Sequence, residues 1–140
     1  MQTIDHIKTT EEIFLDNYLH IISITGCVDE LAELIHNLNV QWWKFDATGT
    51  PIRNKGEAIA LMHSELSEAL EGIRKDKMDD HLPAFSNETV EMADCIIRIL
   101  DYCKGFNLPI GAAIYAKLQY NAKRADHKLE NRMKEGDKKI

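Results

Sequence analysis

Apolar residues recur every three to four positions along most of this 140-residue chain, which is the period of an amphipathic helix. The pattern predicts helices at 29–46, 56–75, 87–104 and 109–135, and a weaker helical segment at 10–25. No stretch shows the sustained alternation of period two that marks a half-buried strand. Because short loops between amphipathic helices favour antiparallel neighbours, the sequence predicts an all-α fold, an antiparallel four-helix-bundle-like domain with an extra N-terminal segment.

Residues with special backbone preferences mark the ends of these predicted helices. Gly26 suits the end of the segment at 10–25, and Gly105 suits the end of the helix at 87–104. Ser86 or Asn87 can cap the N-terminus of that same helix, and Pro109 suits the first turn of the last one.

The helical period also predicts which side chains are buried. Trp42 continues the apolar stripe of the helix at 29–46, so it is expected in the core. Trp43 falls on the neighbouring stripe with His36 and Asn39, where it either stacks on a base or packs in a dimer interface. In the next helix, one apolar stripe consists of Ile59, Met62, Leu66, Leu70 and Ile73. Glu65 shares a second stripe with Ala58, Leu61 and Ala69, on a face that another helix is expected to cover.

The helices divide the chain into an N-terminal extension at 1–28, expected to be helical, an all-α domain at 29–128 and a basic tail at 129–140. Between 91 and 103 the predicted helix at 87–104 is apolar over nearly half of its circumference, so it needs covering on more than one side. The chain is therefore expected to be oligomeric.

Charge is unevenly distributed along the chain. Residues 1–116 contain 9 lysines and arginines against 19 acidic residues, a net charge of −10, whereas residues 117–140 contain 8 against 4, a net charge of +4. Binding to a nucleic acid polymer requires a broad basic face, which the acidic body excludes. The basic end is either a solvated helix end or half of a site for a metal-bound polyanion.

The sequence also predicts a cytoplasmic protein that does not enter a membrane. No run approaches the roughly 18 apolar residues of a membrane-spanning helix, and the first residues lack the basic and apolar regions of a secretory signal. Cys27, Cys95 and Cys103 form no C-x-x-C pair and are expected to be buried free thiols in a reducing compartment.

Two pairs of acidic residues carry the strongest chemical signal. Glu65 and Glu68 stand three positions apart on one predicted helix, and 22 residues later Glu91 and Asp94 do the same on the next. A spacing of three places both members of a pair on one helix face. Converging carboxylates raise one another's pKa unless a cation neutralises them, and Mg²⁺ prefers such oxygen ligands. The residues alone leave a metal centre and a set of solvated surface acids equally open.

A di-iron centre also uses carboxylates that point into a helix bundle, but it requires two E-x-x-H pairs. Glu33-x-x-His36 is such a pair, and it falls on a different predicted helix from the four acids. The pattern therefore favours a hard divalent cation over a di-iron centre.

A polar stripe on the last predicted helix is the second chemical signal. Lys117, Asn121, Arg124 and Lys128 are spaced by four, three and four positions, so they share one helix face. Lysine and arginine neutralise phosphate, and asparagine can bind a base edge or a sugar hydroxyl. The alternative is a solvated helix end whose cations complement the helix dipole.

Several of these segments together resemble a known enzyme family. The stretch at 56–74, GEAIALMHSELSEALEGIR, is similar to the metal-binding helix of the all-α nucleoside triphosphate pyrophosphohydrolases, the MazG-like family. Glu91-Met-Ala-Asp94 matches the E-x-x-D motif of that family, and the segments at 31–43 and 117–124 look like its flanking helices. The first 28 residues have no counterpart in the family.

What the resemblance implies is a Mg²⁺-dependent enzyme that cleaves nucleoside triphosphates between the α and β phosphates, giving a nucleoside monophosphate and pyrophosphate. It also implies a homodimer or homotetramer. On this interpretation, the residues that bind Mg²⁺, and one of which orients the attacking water, are Glu65, Glu68, Glu91 and Asp94. The residues that bind the substrate would be Lys117, Asn121, Arg124, Trp43 and His36.

The sequence leaves two alternatives to this function. One is a non-catalytic helical module whose acids lie on the surface and whose apolar faces bind another protein. The other keeps the fold and acts on a phosphoribosyl-nucleotide.

Overall fold

The computed structural model describes residues 8–124, and every regular element among them is helical, which confirms the all-α class. Two isolated antiparallel backbone bridges, Phe45 to Pro51 and Met78 to Ser86, close loops without forming a strand in this range. None of the described helices is long and apolar enough to cross a membrane. The elements are α1 (Thr10–Asp16), α2 (Tyr18–Asn39), a 3₁₀ turn (Val40–Trp42), α3 (Lys55–Lys75), α4 (Asn87–Gly105) and α5 (Ile110–Lys123).

The described residues form two compact units. The first unit combines residues 8–28 with residues 111–124, and the second unit is Asp29–Ile110. Nearly all of α5 therefore belongs with the N-terminal segment, whereas the sequence pattern groups it with residues 29–128. The predicted tail and the last part of the predicted helix at 109–135 lie outside the described residues.

In the first unit, polar side chains form hydrogen bonds at both ends of α1. The Thr9 hydroxyl accepts a hydrogen bond from the Glu12 backbone N–H at 3.2 Å, and the Glu12 carboxylate accepts one from the Thr9 N–H at 2.7 Å. This reciprocal pair satisfies backbone donors that a helix start leaves without partners. At the other end, the Asn17 side chain donates to the Ile13 carbonyl at 2.8 Å.

The break at Asn17 corrects the prediction for the first segment. The sequence predicts one helix at 10–25 that ends at Gly26, but α2 starts at Tyr18 and runs through Gly26 without interruption. A glycine in a helix interior costs about 1 kcal/mol relative to alanine, which the rest of a 22-residue helix outweighs.

Three aromatic rings join the helices of the first unit. Phe14 of α1, Tyr18 of α2 and Tyr115 of α5 lie with ring centroids 6.2 to 6.4 Å apart. A hydrogen bond with Tyr18 and burial raise the pKa of Tyr115. Such tilted and edge-to-face pairs add to the stabilisation from buried area, so this cluster ties the N-terminal segment to α5.

In the second unit, α3 and α4 form an antiparallel hairpin. Gly72 near the end of α3 contacts Asn87 at the start of α4, and the Cys95 thiol lies 3.6 Å from the Met62 carbonyl oxygen. Small side chains on the buried face of α3 allow this close approach. That face is spaced by four and three positions and consists of Ala58, Met62, Glu65, Ala69 and Gly72.

The apolar stripe with the larger side chains lies mostly on the outside of the hairpin. Met62 is buried, but the remaining members are 41 to 58% exposed: Ile59, Leu66, Leu70 and Ile73. The hairpin instead buries the face with the smaller side chains. The prediction that another helix covers the stripe of Glu65 is confirmed for Ala58, Glu65 and Ala69, whereas Leu61 of the same stripe is exposed.

The structure buries Trp43 rather than Trp42. Trp42 is 77% exposed, so the prediction that it lies in the core is wrong, and Trp43 is the buried indole at 6%. The Trp43 ring lies directly against Gly105, where a Cβ atom would overlap three ring carbons. Gly105 ends α4 as predicted, and the structure adds a second reason for a glycine there, the space for an indole.

The cysteines also divide by burial. Cys95 and Cys103 are buried free thiols, as predicted, whereas Cys27 is exposed on α2 and corrects the prediction for that residue. Burial raises the pKa of the Cys103 thiol, so its thiolate, the reactive form, is disfavoured.

Two helix glycines provide a matched test of this description. Gly105→Ala is expected to destabilise the protein by about 1–3 kcal/mol, because a rigid indole cannot move away from the new methyl group. Gly26→Ala meets no atom within 4 Å and is expected to stabilise the protein by about 0.5–1 kcal/mol. Urea unfolding followed by circular dichroism measures both, and a gain in stability for Gly105→Ala would contradict the buried place of Trp43.

Candidate functional site

Three carboxylates meet where α3 and α4 face each other. Glu65 on α3 and Glu91 and Asp94 on α4 each place one oxygen within 4.8 Å of the other two. Glu65 is buried, Glu91 is half-buried and Asp94 is exposed. The antiparallel hairpin thus brings together both predicted acidic pairs at one level along the helices.

Glu68, the fourth predicted ligand, lies beside this group. It is exposed on the next turn of α3 and lines the same cavity, but it is not one of the three residues whose oxygens converge. Its negative charge contributes to the raised pKa of Glu91. The structure therefore brings three of the four acids together and leaves the fourth nearby.

The carboxylates open into a cavity of about 740 Å³. Its wall also contains four basic side chains from α3, α4 and the loop between them: Lys75, Lys77, His81 and Arg98. The cavity therefore combines acidic groups that can bind a cation with basic groups that can contact an anion.

A buried amide fixes the orientation of Glu91. The Asn87 side chain donates a hydrogen bond to Glu91 Oε1 at 2.8 Å. Asn87 can reach this position because Gly72 has no side chain, and any Cβ there would overlap the Asn87 amide. Ser86 begins the helix, as predicted, by accepting a hydrogen bond from the Thr89 N–H at 3.2 Å.

The Arg98 guanidinium forms an ion pair with Glu65 that was not predicted from the sequence. Arg98 Nε lies 2.7 Å from Glu65 Oε1, and the Glu65 side chain is only 8% exposed. Such a partner offsets the cost of burying a carboxylate. Arg98 stands four positions after Asp94 on α4, so the same spacing rule that identified the acids could have found it.

Burial raises the pKa of Glu91 above the ordinary glutamate value. The hydrogen bond from Asn87 opposes this shift, whereas the nearby Glu68 and Glu65 carboxylates add to it. A proton and a metal ion therefore compete for Glu91, because only the ionised carboxylate is a good ligand. Cation binding should weaken as the pH falls through this raised pKa.

A second buried acid, Asp101, organises the residues around Trp43. The Trp43 Nε1–H lies 3.1 Å from both Asp101 oxygens, and His36 Nδ1 lies 2.7 Å from Asp101 Oδ1. The Arg53 guanidinium is 3.7 Å from the other Asp101 oxygen. The sequence predicts substrate contacts for His36 and Trp43, but the structure engages both with Asp101, and burial of Trp43 contradicts an open face for base stacking.

The predicted basic stripe lies on α5, in the first unit. The Lys117 ammonium and the Arg124 guanidinium both lie over the ring of Tyr120, at 4.9 and 5.6 Å from its centroid. Between them, Asn121 Oδ1 is a buried acceptor without a hydrogen-bond donor among the described residues. Lys128 lies outside the described residues. Because the acids belong to the second unit, the idea that this stripe faces them stays a prediction.

The three converging carboxylates suit a hard divalent cation. Mg²⁺ takes oxygen ligands, commonly one or a few carboxylates, and keeps several of its waters. Glu65, Glu91 and Asp94 offer only oxygens, and the exposed Asp94 leaves the group accessible from the cavity. Among residues 8–124 no histidine or cysteine joins this group, which disfavours softer metals.

Comparisons of the chain with protein families, with curated proteins and with solved structures gave no match. The resemblance to the MazG-like family therefore rests on the sequence motifs alone.

Glu91→Gln is expected to raise stability in the absence of divalent cations. Because the pKa of Glu91 is raised by folding, its protonated form favours the folded chain, and this contribution is lost in the wild type as the pH rises through the raised pKa. A neutral glutamine keeps that contribution at pH 7 and can still accept the Asn87 hydrogen bond. In EDTA, the midpoint of thermal unfolding should be higher for the variant than for the wild type at pH 7, and the difference should shrink towards pH 4.5, the ordinary glutamate pKa.

The same variant should bind Mn²⁺ about tenfold or more weakly, as measured by electron paramagnetic resonance titration. Glu88→Gln, which removes an exposed acid from the first turn of the same helix, is the matched control. It should leave Mn²⁺ affinity unchanged and lower stability slightly, because a negative charge near a helix N-terminus is favourable. Wild-type Mn²⁺ affinity in Glu91→Gln would contradict the proposed ligand set.

Proposed function

We propose that this protein is a Mg²⁺-dependent nucleoside triphosphate pyrophosphohydrolase of the MazG-like type. The observation that carries the proposal is the convergence of Glu65, Glu91 and Asp94 within 4.8 Å at a cavity that also contains basic side chains. A cation-binding group next to cationic side chains is what a metal-bound polyphosphate requires.

The roles of the acids follow from their positions. Glu65, Glu91 and Asp94 would hold the cation, which when bound would supply charge neutralisation at phosphate oxygens and activation of a water molecule. Glu68 lines the same cavity outside the group of three, so its carboxylate remains available to accept a proton from the attacking water. In the reaction, the water oxygen forms a bond to the α phosphorus while the bond from that phosphorus to the bridging oxygen breaks, and pyrophosphate leaves.

The stripe on α5 is proposed to bind the rest of the nucleotide. Lys117 and Arg124 would neutralise the leaving pyrophosphate, since both are cations that contact the ring of Tyr120. Asn121 Oδ1 is buried and lacks a donor within the described chain, and a sugar hydroxyl would supply one.

The exposed apolar faces support an oligomer. Leu66 and Leu70 on α3 and Ile96 on α4 are each 43 to 58% exposed, and monomeric proteins rarely leave such contiguous helix faces in water. We therefore expect a cytoplasmic homodimer or homotetramer in which a second copy covers these faces and completes a four-helix-bundle-like core.

The same exposed faces are the observation that favours the second candidate function, a non-catalytic interaction module. A thermal shift separates the two, because a ligand that binds the folded state stabilises it. Millimolar Mg²⁺ with a nucleoside triphosphate should raise the unfolding midpoint of an enzyme and leave that of an interaction module unchanged. Analysis of products over nucleoside triphosphates and phosphoribosyl-nucleotides distinguishes the two enzymatic alternatives.

Removal of a single ligand carboxylate is expected to abolish most activity. Glu65→Gln, Glu91→Gln and Asp94→Asn should each lower turnover by about a hundredfold or more, because electrostatic stabilisation of the phosphate charge is lost. The measurement is the release of pyrophosphate and nucleoside monophosphate from a panel of nucleoside triphosphates in Mg²⁺, with helical circular dichroism as the check on folding.

Glu71→Gln is the matched control, since Glu71 lines the same cavity but pairs with Lys75 at 2.9 Å on the surface. It should retain activity within about threefold, the range of a surface substitution. Near wild-type turnover in two of the three ligand variants would show that the carboxylates do not form a catalytic metal site.

The proposed role of the basic stripe is tested by comparing its cations with basic residues nearby in the sequence. Lys117→Ala and Arg124→Ala should each lower kcat/KM by about ten- to a hundredfold, the loss of one charge-assisted contact. Lys123→Ala, which removes an exposed lysine of the same helix, should have little effect, and Lys128→Ala is likewise expected to matter little. Equal small losses at all these positions would mean that the stripe is a solvated helix end.

A further inference from the structure

A second cavity of about 300 Å³ adjoins the carboxylate site. Asp94 and Arg98, one turn apart on α4, line both cavities, so the two cavities lie next to each other along this helix. The remaining wall consists of Asn39, Trp42, Arg53, Ile97 and Asp101, all from the second unit.

The Arg53 side chain is fixed in this wall by buried groups. Its guanidinium carbon lies 4.7 Å from the centre of the Trp43 ring, and its terminal nitrogen lies 3.7 Å from Asp101 Oδ2. Both partners are themselves held, because Trp43 donates to Asp101 and is 6% exposed. A cation placed over an indole face and beside a buried carboxylate has a defined orientation.

The backbone at Arg53 is fixed on both sides. The Ile52 N–H donates to the Lys44 carbonyl at 2.7 Å, and the Asn54 side chain caps α3 by accepting from the Gly56 N–H at 2.8 Å. Arg53 therefore lies in an anchored loop directly before a helix.

Despite this fixed position, the Arg53 guanidinium donates no hydrogen bond within residues 8–124, since the distance to Asp101 exceeds hydrogen-bond range. The other basic groups near the carboxylates differ. Arg98 contacts Glu65 at 2.7 Å, and Lys77 contacts Asp80 at 2.6 Å. A guanidinium carries five donors in a planar fork that matches two oxygens of a phosphate or carboxylate.

We infer that Arg53 binds a phosphate group of the ligand held at the carboxylate site, and that Asp101 and Trp43 position its guanidinium for this contact. The inference rests on the proposed function in that the phosphate belongs to a nucleotide or to its pyrophosphate product. Arg53 lies outside the motifs on which the resemblance to the MazG-like family rests, so the inference adds a substrate-binding residue to those that the resemblance implies.

Charged side chains line the second cavity. Its wall contains two guanidinium groups, Arg53 and Arg98, and two carboxylates, Asp94 and Asp101. A divalent cation held by Asp94 and its neighbours would offset the Asp94 charge. Because Arg98 is already paired with Glu65, Arg53 would be the guanidinium of this wall that a phosphate can contact.

The test measures binding of inorganic pyrophosphate and of a nucleoside monophosphate, each with Mg²⁺, to the full-length protein by isothermal titration calorimetry. Arg53→Gln should weaken binding of at least one of them by about ten- to a hundredfold, the effect of a lost charge-assisted bidentate contact. Loss of pyrophosphate affinity assigns Arg53 to the leaving group, and loss of monophosphate affinity assigns it to the α phosphate. Either result supports the inference.

Two further variants make the result specific. Arg74→Gln removes an exposed arginine that pairs with Glu71 and should bind both ligands as the wild type does. Arg53→Lys keeps a cation between Trp43 and Asp101 but loses the planar fork, so it should fold and still bind more weakly than the wild type. Wild-type affinity for both ligands in Arg53→Gln would overturn the inference, and if that variant does not fold, wild-type affinity in Arg53→Lys would overturn it.

Failure of this inference can be told apart from failure of the proposed function. Mn²⁺ affinity in Arg53→Gln should equal that of the wild type, because Arg53 is not among the three converging acids. If the wild type hydrolyses nucleoside triphosphates but ligand affinity does not depend on Arg53, the inference alone fails. If the wild type hydrolyses none of them but pyrophosphate binding depends on Arg53, the anion-binding role stands and the proposed function fails.

Discussion

The arrangement of the second unit depends on one stripe of polar side chains along α4. Asn87, Glu91, Asp94, Arg98 and Asp101 recur at intervals of four and three, so they occupy a single helix face. Four of the five are buried or half-buried, where each polar group must find a partner or destabilise the fold. The loops and helices around α4 supply these partners, from Gly72 and Glu65 on α3 to the residues that surround Asp101.

This constraint explains why small residues dominate the facing side of α3. Ala58, Ala69 and Gly72 are buried there and leave room for functional groups that a leucine face would displace. The larger apolar side chains of α3 are consequently directed outwards. The helix α3 therefore carries part of the polar site on its buried face and exposed apolar side chains on another face.

Much of this organisation is legible in the sequence, and the part that is not has a physical cause. The bounds of α3 and α4 and the cap at Ser86 follow from local signals, and the acidic pairs follow from spacing. Periodicity could not choose between two apolar faces of α3, because that choice depends on the volume of side chains across the interface. Periodicity also could not predict that Trp43 rather than Trp42 is buried. The Trp43 ring occupies the space left by the missing side chain of Gly105, which is distant in the sequence.

The same helical spacing could have predicted Arg98 and Asp101, since they extend the stripe that contains Asp94. It could not have predicted Arg53. This arginine lies in a loop, and its position depends on a tryptophan ring and a buried carboxylate that only the tertiary structure brings beside it.

The contact between Arg98 and Glu65 has a consequence for how the site responds to its surroundings. A cation that uses Glu65 Oε1 must first displace a guanidinium held at 2.7 Å, so the strength of that ion pair is subtracted from the strength of cation binding. The arginine would thereby raise the cation concentration that binding requires. A divalent ion, which would interact with all three carboxylates at twice the charge, could meet this requirement, whereas a monovalent ion would gain too little to compete. An internal cation would thus select which ions the cavity accepts.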